Sequence, residues 1–246
     1  MSECIQLTTS KLDTNTYIVI NGDSGFVVDP GGDAEKIFSV FQKRGAKLQA
    51  ILLTHAHFDH IGGVAELQRL ATENNCALDA ESKGCDCAKI KTQSNKDNGA
   101  SECEAPKIFV HKDDKDKISS FKNLGFAMGV KVEKFSPDIL LTGGEELSIC
   151  GLKVKVIHTP GHSKGGVCYV CEDRIFVGDT VFYGSYGRVD FYDGSFAQIK
   201  NSIINKLFRI QGDYLLCPGH GSATTLEFER KHNSVLWDCQ TPSIVD

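Results

Sequence analysis

Short apolar runs bounded by glycine, asparagine and aspartate alternate along this chain with longer segments of helical periodicity. The apolar runs predict strands at residues 4–8, 16–20, 25–29, 48–53, 107–110, 147–157, 166–171, 174–177 and 214–217. The periodic segments predict helices at residues 33–43, 62–72, 115–124, 196–208 and 226–235. Asp33 is the expected N-cap of the first helix, because its carboxylate would accept a hydrogen bond from a free amide of the first turn.

Length and charge narrow the class of partners. The chain has 246 residues, 41% of them hydrophobic, which suits a single domain over residues 1–246 with a large core. Its net charge of −5 gives no general basic field for nucleic acid or an anionic membrane. The first residues lack the pattern of a secretory signal, and no run approaches the ~20 apolar residues that span a bilayer. We therefore expect a soluble, cytoplasmic protein that binds a small molecule.

Nine of the ten cysteines fall into two settings. Without a secretory signal, free thiols are expected. Five lie in apolar runs, where we expect small buried hydrophobic residues: Cys4, Cys150, Cys168, Cys171 and Cys217. Four lie in a polar segment at about residues 73–107: Cys76, Cys85, Cys87 and Cys103. We interpret this segment as an inserted surface loop. A zinc knuckle or redox pair is the less favoured alternative, because the segment itself contains no Cys-x-x-Cys pair.

A dense group of metal-binding residue types follows the strand predicted at residues 48–53. The motif is Thr54-His55-Ala56-His57-Phe58-Asp59-His60. Alternation in an extended segment sends His55, His57 and Asp59 to one side, and His60 follows the turn. Imidazole and carboxylate are first-choice ligands for zinc and neighbouring divalent metals. Four ligands so close together can serve two adjacent ions.

Three later segments each place a ligand type directly after an apolar strand and a glycine. His162, Asp179 and His220 occupy these positions. A histidine after a Pro-Gly turn is, taken alone, more often a turn residue than a metal ligand. The same arrangement three times, added to the first motif, predicts a site for two metal ions.

Together these motifs resemble the metallo-β-lactamase superfamily of hydrolases. The later segments, with Gly184-Ser185-Tyr186-Gly187-Arg188-Val189-Asp190, look most like the compact glyoxalase II group, hydroxyacylglutathione hydrolases without a helical C-terminal domain. The resemblance covers nearly the whole chain apart from the insertion at about residues 73–107. It implies an α/β (α+β) fold arranged as a four-layer αββα sandwich.

The resemblance also implies how seven ligands divide between two divalent metal ions. One metal would be held by His55, His57 and His162. The second would be held by Asp59, His60 and His220, with Asp179 as the bridge. Zinc is the expected metal, with iron or manganese as alternatives because they share these ligand preferences.

Asp29 has two interpretations of equal weight. It ends the strand predicted at residues 25–29, where a turn carboxylate commonly accepts backbone amides. The family pattern implies instead that it lies near the metals, where a carboxylate accepts the second N–H of a ligating histidine and fixes its orientation.

The implied activity is hydrolysis of S-(2-hydroxyacyl)glutathione thioesters such as S-D-lactoylglutathione. Two dications bridged by Asp179 and a water would bring the pKa of that water from ~15.7 to about 7, so that hydroxide is available at neutral pH. This bridging hydroxide would attack the thioester carbonyl. Asp179 and Asp59 are the catalytic candidates, Asp59 as ligand and as base for the water. The thiol, with a pKa of ~8.5, leaves with little need of protonation.

Three side chains in loops beside the metal motifs are candidate contacts for the thioester substrate: Arg188, Lys164 and Tyr183. They would replace contacts that larger glyoxalase II enzymes make through their helical domain. Arg188 could also pair with Asp190 or Asp193, and we slightly favour this structural role. Another thioester, an ester or a lactone therefore stays open as the substrate.

Other functions fit the motifs less well. A persulfide dioxygenase, with a single iron on two histidines and an aspartate, would leave Asp59, His60 and His220 idle. A β-lactamase is disfavoured because such enzymes typically carry a different residue at the position of Asp179. A binding module without catalysis would normally lose ligands, and none is lost. The remaining histidines are expected to be structural or exposed: His111, His158 and His232.

Overall fold

The computed structural model describes residues 2–83 and 104–238. Its strands are β1 (Glu3–Thr9), β2 (Thr14–Asn21), β3 (Ser24–Val28), β4 (Lys47–Leu52), β5 (Lys107–His111), β6 (Ile139–Leu141), β7 (Glu146–Ile149), β8 (Leu152–His158), β9 (Val167–Cys171), β10 (Arg174–Gly178), β11 (Val181–Phe182), β12 (Ser185–Tyr186), β13 (Leu215–Pro218) and β14 (Thr224–Thr225). Its α-helices are α1 (Ala34–Arg44), α2 (Phe58–Ile61), α3 (Val64–Lys83), α4 (Phe196–Asn205) and α5 (Leu226–His232).

Two six-stranded sheets form the centre of the molecule. The first has the order β1-β2-β3-β4-β5-β6 and the second the order β14-β13-β10-β9-β8-β7. Strands β3, β4, β5 and β6 run parallel, as do β10 and β13. Because parallel strands end at the same edge of a sheet, the loops that follow β3, β4 and β5 lie side by side.

Alternation along the strands divides the apolar side chains among three clusters. In β2, Val19 faces the space between the sheets, while Ile18 packs against α1 and α3. In β10, Phe176 faces the same inner space, while Ile175 packs against α4. The order of layers is therefore helix, sheet, sheet, helix. The expected four-layer αββα sandwich is confirmed.

Helix α3 is longer than its sequence pattern predicted. It runs to Lys83 instead of ending near residue 72, so part of the segment expected to be a loop is helical. The sequence has no glycine or proline between Val64 and Lys83, and Gly84 is the first residue that would interrupt a helix. The rest of the insertion, with Cys85, Cys87 and Cys103, lies outside the described residues.

The helix predicted at residues 115–124 is wrong. Short 3-10 turns occupy Lys112–Lys117 and Phe121–Asn123, and Leu124 takes a positive φ of 69°. The physical reason is burial, since Asp114 and Lys117 point into the molecule instead of along a solvated helix face. Local charge periodicity could not show this.

The start of α1 was placed correctly, but the expected capping bond is wrong. Asp33 is the N-cap residue, yet its φ is 50° and its side chain makes no cap hydrogen bond. The predicted strand at residues 147–157 is a hairpin, in which Cys150 and Gly151 form a tight turn between β7 and β8.

The five cysteines of the apolar runs are free thiols, as expected. Cys168, Cys171 and Cys217 are buried, whereas Cys4 and Cys150 are only half-buried. Among the helices of the described residues, none combines the length and apolar character needed to cross a bilayer.

Candidate metal centre

Loops at one edge of the sandwich bring the seven predicted ligands together. The first sheet supplies four of them from the segment after β4, which includes α2: His55, His57, Asp59 and His60. The second sheet supplies one after each of β8, β10 and β13: His162, Asp179 and His220. The side chain of His220 is 28% exposed, and the other six are largely buried.

Three imidazoles form one half of the centre. His55, His57 and His162 each place a ring nitrogen within 4.8 Å of the others. His162 Nε2 and His57 Nδ1 face each other at 2.9 Å. His55 Nε2 is buried and has no hydrogen-bond partner. Buried nitrogen atoms without partners are costly, and a shared cation would satisfy them.

A mixed group forms the other half. His220 Nε2 lies 3.1 Å from Asp59 Oδ2, and His60 Nε2 lies 3.6 Å from the same oxygen. His60 Nε2 is buried without a hydrogen-bond partner. One carboxylate and two imidazoles are a donor set that suits a divalent metal.

Asp179 lies between the two halves. Its Oδ2 is 3.4 Å from His162 Nε2 in the first half, and its Oδ1 is 3.4 Å from His60 Nε2 in the second. Oδ1 is buried and lacks a hydrogen-bond partner. Oδ2 also lies 3.8 Å from His220 Nε2. The carboxylate therefore approaches histidines of both halves, as a bridging ligand requires. The residues present fit a pair of metal ions.

Asp29 contacts a histidine of the centre and the loop that follows β4. Its Oδ2 lies 3.0 Å from His60 Nδ1, and its two oxygens accept hydrogen bonds from the backbone N–H and hydroxyl of Thr54 at 2.7 and 2.6 Å. The amide belongs to the neighbouring loop and not to the turn of Asp29 itself. The contact with Nδ1 would orient His60. Asp29, His55 and His60 also form a group of metal-ligand types whose ligand atoms lie within 4.8 Å of one another.

Backbone carbonyls orient two further histidines. His162 Nδ1 donates to the carbonyl of Arg188 at 2.8 Å, and His220 Nδ1 donates to the carbonyl of Leu12 at 3.0 Å. Each bond fixes the tautomer that leaves Nε2 free to face the centre. Because the acceptors are backbone carbonyls, any residue type at positions 12 and 188 could make these contacts, and the sequence carried no indication of them.

The electrostatics of the centre favour the metal-binding forms of His55, His57 and Asp179, but not that of His60. Burial holds the pKa of His55 and His57 well below the ordinary value, and neighbouring imidazoles add to this effect. Burial acts to raise the pKa of Asp179, but the adjacent histidines outweigh it and keep the carboxylate ionised. The pKa of His60 is raised well above its ordinary value despite burial, because carboxylates surround it. A metal ion would displace the His60 proton.

The three candidate substrate contacts lie in exposed positions. Arg188 makes a two-point ion pair with Asp190, at 2.7 and 2.6 Å, as its structural interpretation predicted. Tyr183 is 61% exposed and stacks on Phe228. The side chain of Lys164 is exposed. Contact of these side chains with a substrate stays a prediction.

Sequence reasoning missed two residues that border the centre. The ring of Phe191 packs edge-on against His57 and His162, with centroids 5.0 and 5.5 Å apart. Asp114 is fully buried and binds two of the ligand loops. Phe191 lies in a polar loop and Asp114 in a charged run, so their neighbours in the sequence gave no indication of either role.

The other histidines do not join the centre. His111 begins the 3-10 turn at Lys112–Lys117, and its ring stacks on that of His158 with centroids 4.1 Å apart. Together with Asp113 they form a further group of ligand types. However, His158 Nε2 bonds the carbonyl of Lys164, and His111 Nδ1 accepts from the amide of Asp113. His232 is exposed at the end of α5, as expected.

Comparison with known proteins agrees with this geometry. The sequence profile described as "Metallo-beta-lactamase superfamily" matches residues 10–77 and 97–220. The hydroxyacylglutathione hydrolase GloC of Haemophilus influenzae is 28% identical over 215 residues, which are 85% of this chain and 86% of that protein.

Two solved structures are similar over almost their full length. The B3 metallo-beta-lactamase BLEG-1 is 28% identical with a TM-score of 0.78, covering 96% of this chain and 100% of that one. TTHA1623, solved in a di-iron-bound form, is 29% identical with a TM-score of 0.70, covering 93% and 98%. With the profile matched over more than half of its residues, this chain belongs to the metallo-beta-lactamase superfamily.

Proposed function

We propose that this metal-dependent hydrolase acts on thioesters, with S-(2-hydroxyacyl)glutathione such as S-D-lactoylglutathione as its substrate. The observation that carries the proposal is Asp179, whose two oxygens lie 3.4 Å from a histidine of each half of the centre. A bridging carboxylate between two complete ligand groups suits a binuclear hydrolase. The similarity to a hydroxyacylglutathione hydrolase over 85% of the chain supports the choice of substrate.

Two divalent cations would be held by the two halves described above. Zinc is our first choice, and iron or manganese would suit the same donors. Iron gains support from TTHA1623, which was solved with two irons. When bound, such a pair lowers the pKa of a water and polarises the carbonyl oxygen of the substrate.

Two aspartates of the chain would position the metal-binding halves and the attacking water. Asp179 fixes the spacing of the two halves, and Asp59 is held by the Thr14 hydroxyl at 3.3 Å, which gives it mainly a positional role. Asp59 is also the candidate base for the attacking water. Because a thiol has a pKa of ~8.5, the leaving group departs as thiolate, and we assign no side chain as general acid.

Arg188 is our first candidate for contact with a substrate carboxylate. The side chains of Arg188 and Asp190 in this ion pair are 63% and 64% exposed. An exposed pair contributes little stability, so a substrate carboxylate could replace Asp190 at low cost. Phe191, below the Arg188 guanidinium at 4.5 Å, would keep that group in place during the exchange. Lys164 and Tyr183 are the further candidates.

The test is hydrolysis of S-D-lactoylglutathione by protein of measured metal content. A β-lactam, a lactone and a phosphodiester are assayed beside it, with oxygen uptake on glutathione persulfide as a separate arm. We expect two metals per chain and fastest turnover of the thioester. Preferred turnover of the lactam, in line with BLEG-1, would move the assignment to that class. Oxygen uptake with one iron per chain would favour the persulfide dioxygenase and contradict our proposal.

A further inference from the structure

A buried ionic network lies beside the metal centre without contributing ligands to it. It consists of Asp114, Lys117 and Asp193, and we call it the Asp114 network. Lys117 Nζ lies 3.1 Å from Asp114 Oδ1 and 2.7 Å from Asp193 Oδ2. Asp114 is 0% exposed and Lys117 2%. Buried charges are seldom retained for stability alone, since apolar residues of similar volume often serve as well.

The contacts of Asp114 join two loops that carry ligands. Its Oδ2 accepts hydrogen bonds from the Ala56 N–H and the Ser163 hydroxyl, both at 3.0 Å. Its Oδ1 accepts from the Gly165 N–H at 2.8 Å. Ala56 stands between His55 and His57 in the sequence, and Ser163 directly follows His162. The approach is close, because a methyl group at Gly165 would lie 2.6 Å from Asp114 Oδ1.

Lys117 and Asp193 extend the network to a third loop. Asp193 Oδ2 also accepts a hydrogen bond from the Lys164 N–H at 3.2 Å. Asp193 lies in the segment that begins at Arg188, whose carbonyl accepts from His162 Nδ1. The network therefore fixes the loops of all three imidazoles in the first half, together with the loop that orients His162.

The second half of the centre is held by different contacts. Asp29 orients His60, the Leu12 carbonyl orients His220, and Thr14 holds Asp59. In the described parts of the chain, the hydrogen bonds and ion pairs of Asp114 do not include His60, His220 or Asp59.

We propose that Asp114, supported by Lys117 and Asp193, is a positioning residue for the three-imidazole half, and that it sets the metal affinity of that half separately from the other. The proposal rests on the proposed function only in that the centre binds metal. It requires neither a thioester substrate nor turnover. Contacts that orient ligands typically change metal affinity by about 10–100-fold when they are removed.

The test is a stepwise Co²⁺ titration of metal-free protein, followed by calorimetry and by visible absorption of the bound ion. The variants His162→Ala and His220→Ala identify which binding step belongs to which half. In Asp114→Asn, we expect the step of the three-imidazole half to weaken by about 10–100-fold, with a changed cobalt spectrum. The step of the other half keeps its wild-type affinity. The matched control is Asp116→Asn, an exposed aspartate on the same turn, which leaves both steps unchanged.

If Asp114 only stabilised the fold, its substitution would not affect one metal-binding step more than the other. If Asp114→Asn weakened both steps equally, or neither, the proposal would be overturned. Should Asp114→Asn fail to fold by circular dichroism, Asp193→Asn decides, because it keeps the pair of Asp114 with Lys117. Asp193→Asn must then show a smaller loss of metal affinity than Asp114→Asn was expected to show, and only in the three-imidazole half. The titration contains no substrate, so its result does not depend on turnover. If the wild type failed to hydrolyse thioesters, the proposed function would be contradicted, but the titration could still be interpreted.

Discussion

At the scale of single residues, glycines beside the ligands determine how closely the loops approach one another. A methyl group at Gly219 would lie 2.2 Å from Asp179 Oδ1 and 2.6 Å from His60 Cε1. A methyl group at Gly187 would lie 1.7 Å from the Asp179 carbonyl oxygen. Real side chains do not approach so closely, so a glycine at these positions makes the convergence of ligands possible.

We predict that Gly219→Ala displaces Asp179 and His60 and reduces metal content to about one ion per chain or less. The control is Gly221→Ala, where the added methyl group meets open space and the positive φ of 72° costs about 1–2 kcal/mol of stability. Elemental analysis after dialysis and denaturant unfolding give the two readouts. Wild-type metal content in Gly219→Ala would show that the loop relaxes without disturbing the ligands.

The bridging role proposed for Asp179 gives a second prediction at this scale. Asp179→Ala should lower occupancy of the second metal and thioester hydrolysis together, by more than the ~10–100-fold typical of an outer contact. Asp173→Ala, on the exposed turn before β10, is the control and should change neither quantity. If the Asp179 variant kept two metals and the wild-type rate, Asp179 would not be the bridge.

The same reasoning applies to His220, the most exposed of the seven ligands. His220→Ala should reduce thioester turnover far more than it reduces the free energy of unfolding, because its side chain is 28% exposed and contributes little to the core. Steady-state rates and denaturant unfolding on the same preparation measure both effects. An equal loss of stability and activity would point to a mainly structural residue.

At the scale of elements, a tight turn sets the register of β8, the strand that precedes His162. The β7–β8 hairpin turns at Cys150 and Gly151, with φ values of 51° and 73°. Such a pair of positive φ angles is the geometry for which Asn-Gly is the preferred sequence. Cys150 therefore occupies a backbone conformation that an L-residue with an ordinary side chain adopts at a cost.

We predict that Cys150→Asn raises the free energy of unfolding by about 0.5–1 kcal/mol, because asparagine tolerates the left-handed region. Cys150→Val should lower it, since a β-branched residue is poorly tolerated there. Both are measured by urea denaturation with the slope checked for constancy. Equal stability of the two variants would show that backbone strain at this turn is negligible.

At the scale of the whole molecule, the candidate metal centre lies where loops of the two sheets meet. Four ligands follow β4 in the first sheet, and three follow strands of the second. Protein contacts at the same edge also cross between the sheets, since the Tyr17 hydroxyl donates to the Pro218 carbonyl at 2.8 Å and the Asn15 N–H to the Gly219 carbonyl at 2.7 Å. Bound metal would therefore strengthen a contact between the sheets that these hydrogen bonds already provide.

We predict that removing metal with a chelator lowers the thermal midpoint while the secondary structure by circular dichroism is kept. At a free metal concentration of 100 times Kd, each site should contribute about 2.7 kcal/mol to the free energy of unfolding. Titrating metal back should raise the midpoint along the same curve. Complete unfolding on chelation would contradict this, because the three apolar clusters would then be insufficient for the fold.

The sequence by itself determined the buried strands and the set of candidate ligands, and its resemblance to the superfamily implied the four layers. The continuous apolar runs of strands such as β2 and β10 indicate burial on both faces. Each group of candidate ligands follows an apolar strand at a turn, so both are local features of the chain. Only the tertiary structure decided how those ligands are held. Asp114 and Lys117 lie in a run that resembles a solvated surface, and the carbonyls of Leu12 and Arg188 have no side-chain signature. Their roles depend on which loops meet at one edge of the sandwich, and that meeting is set by long-range packing, which local pattern does not encode.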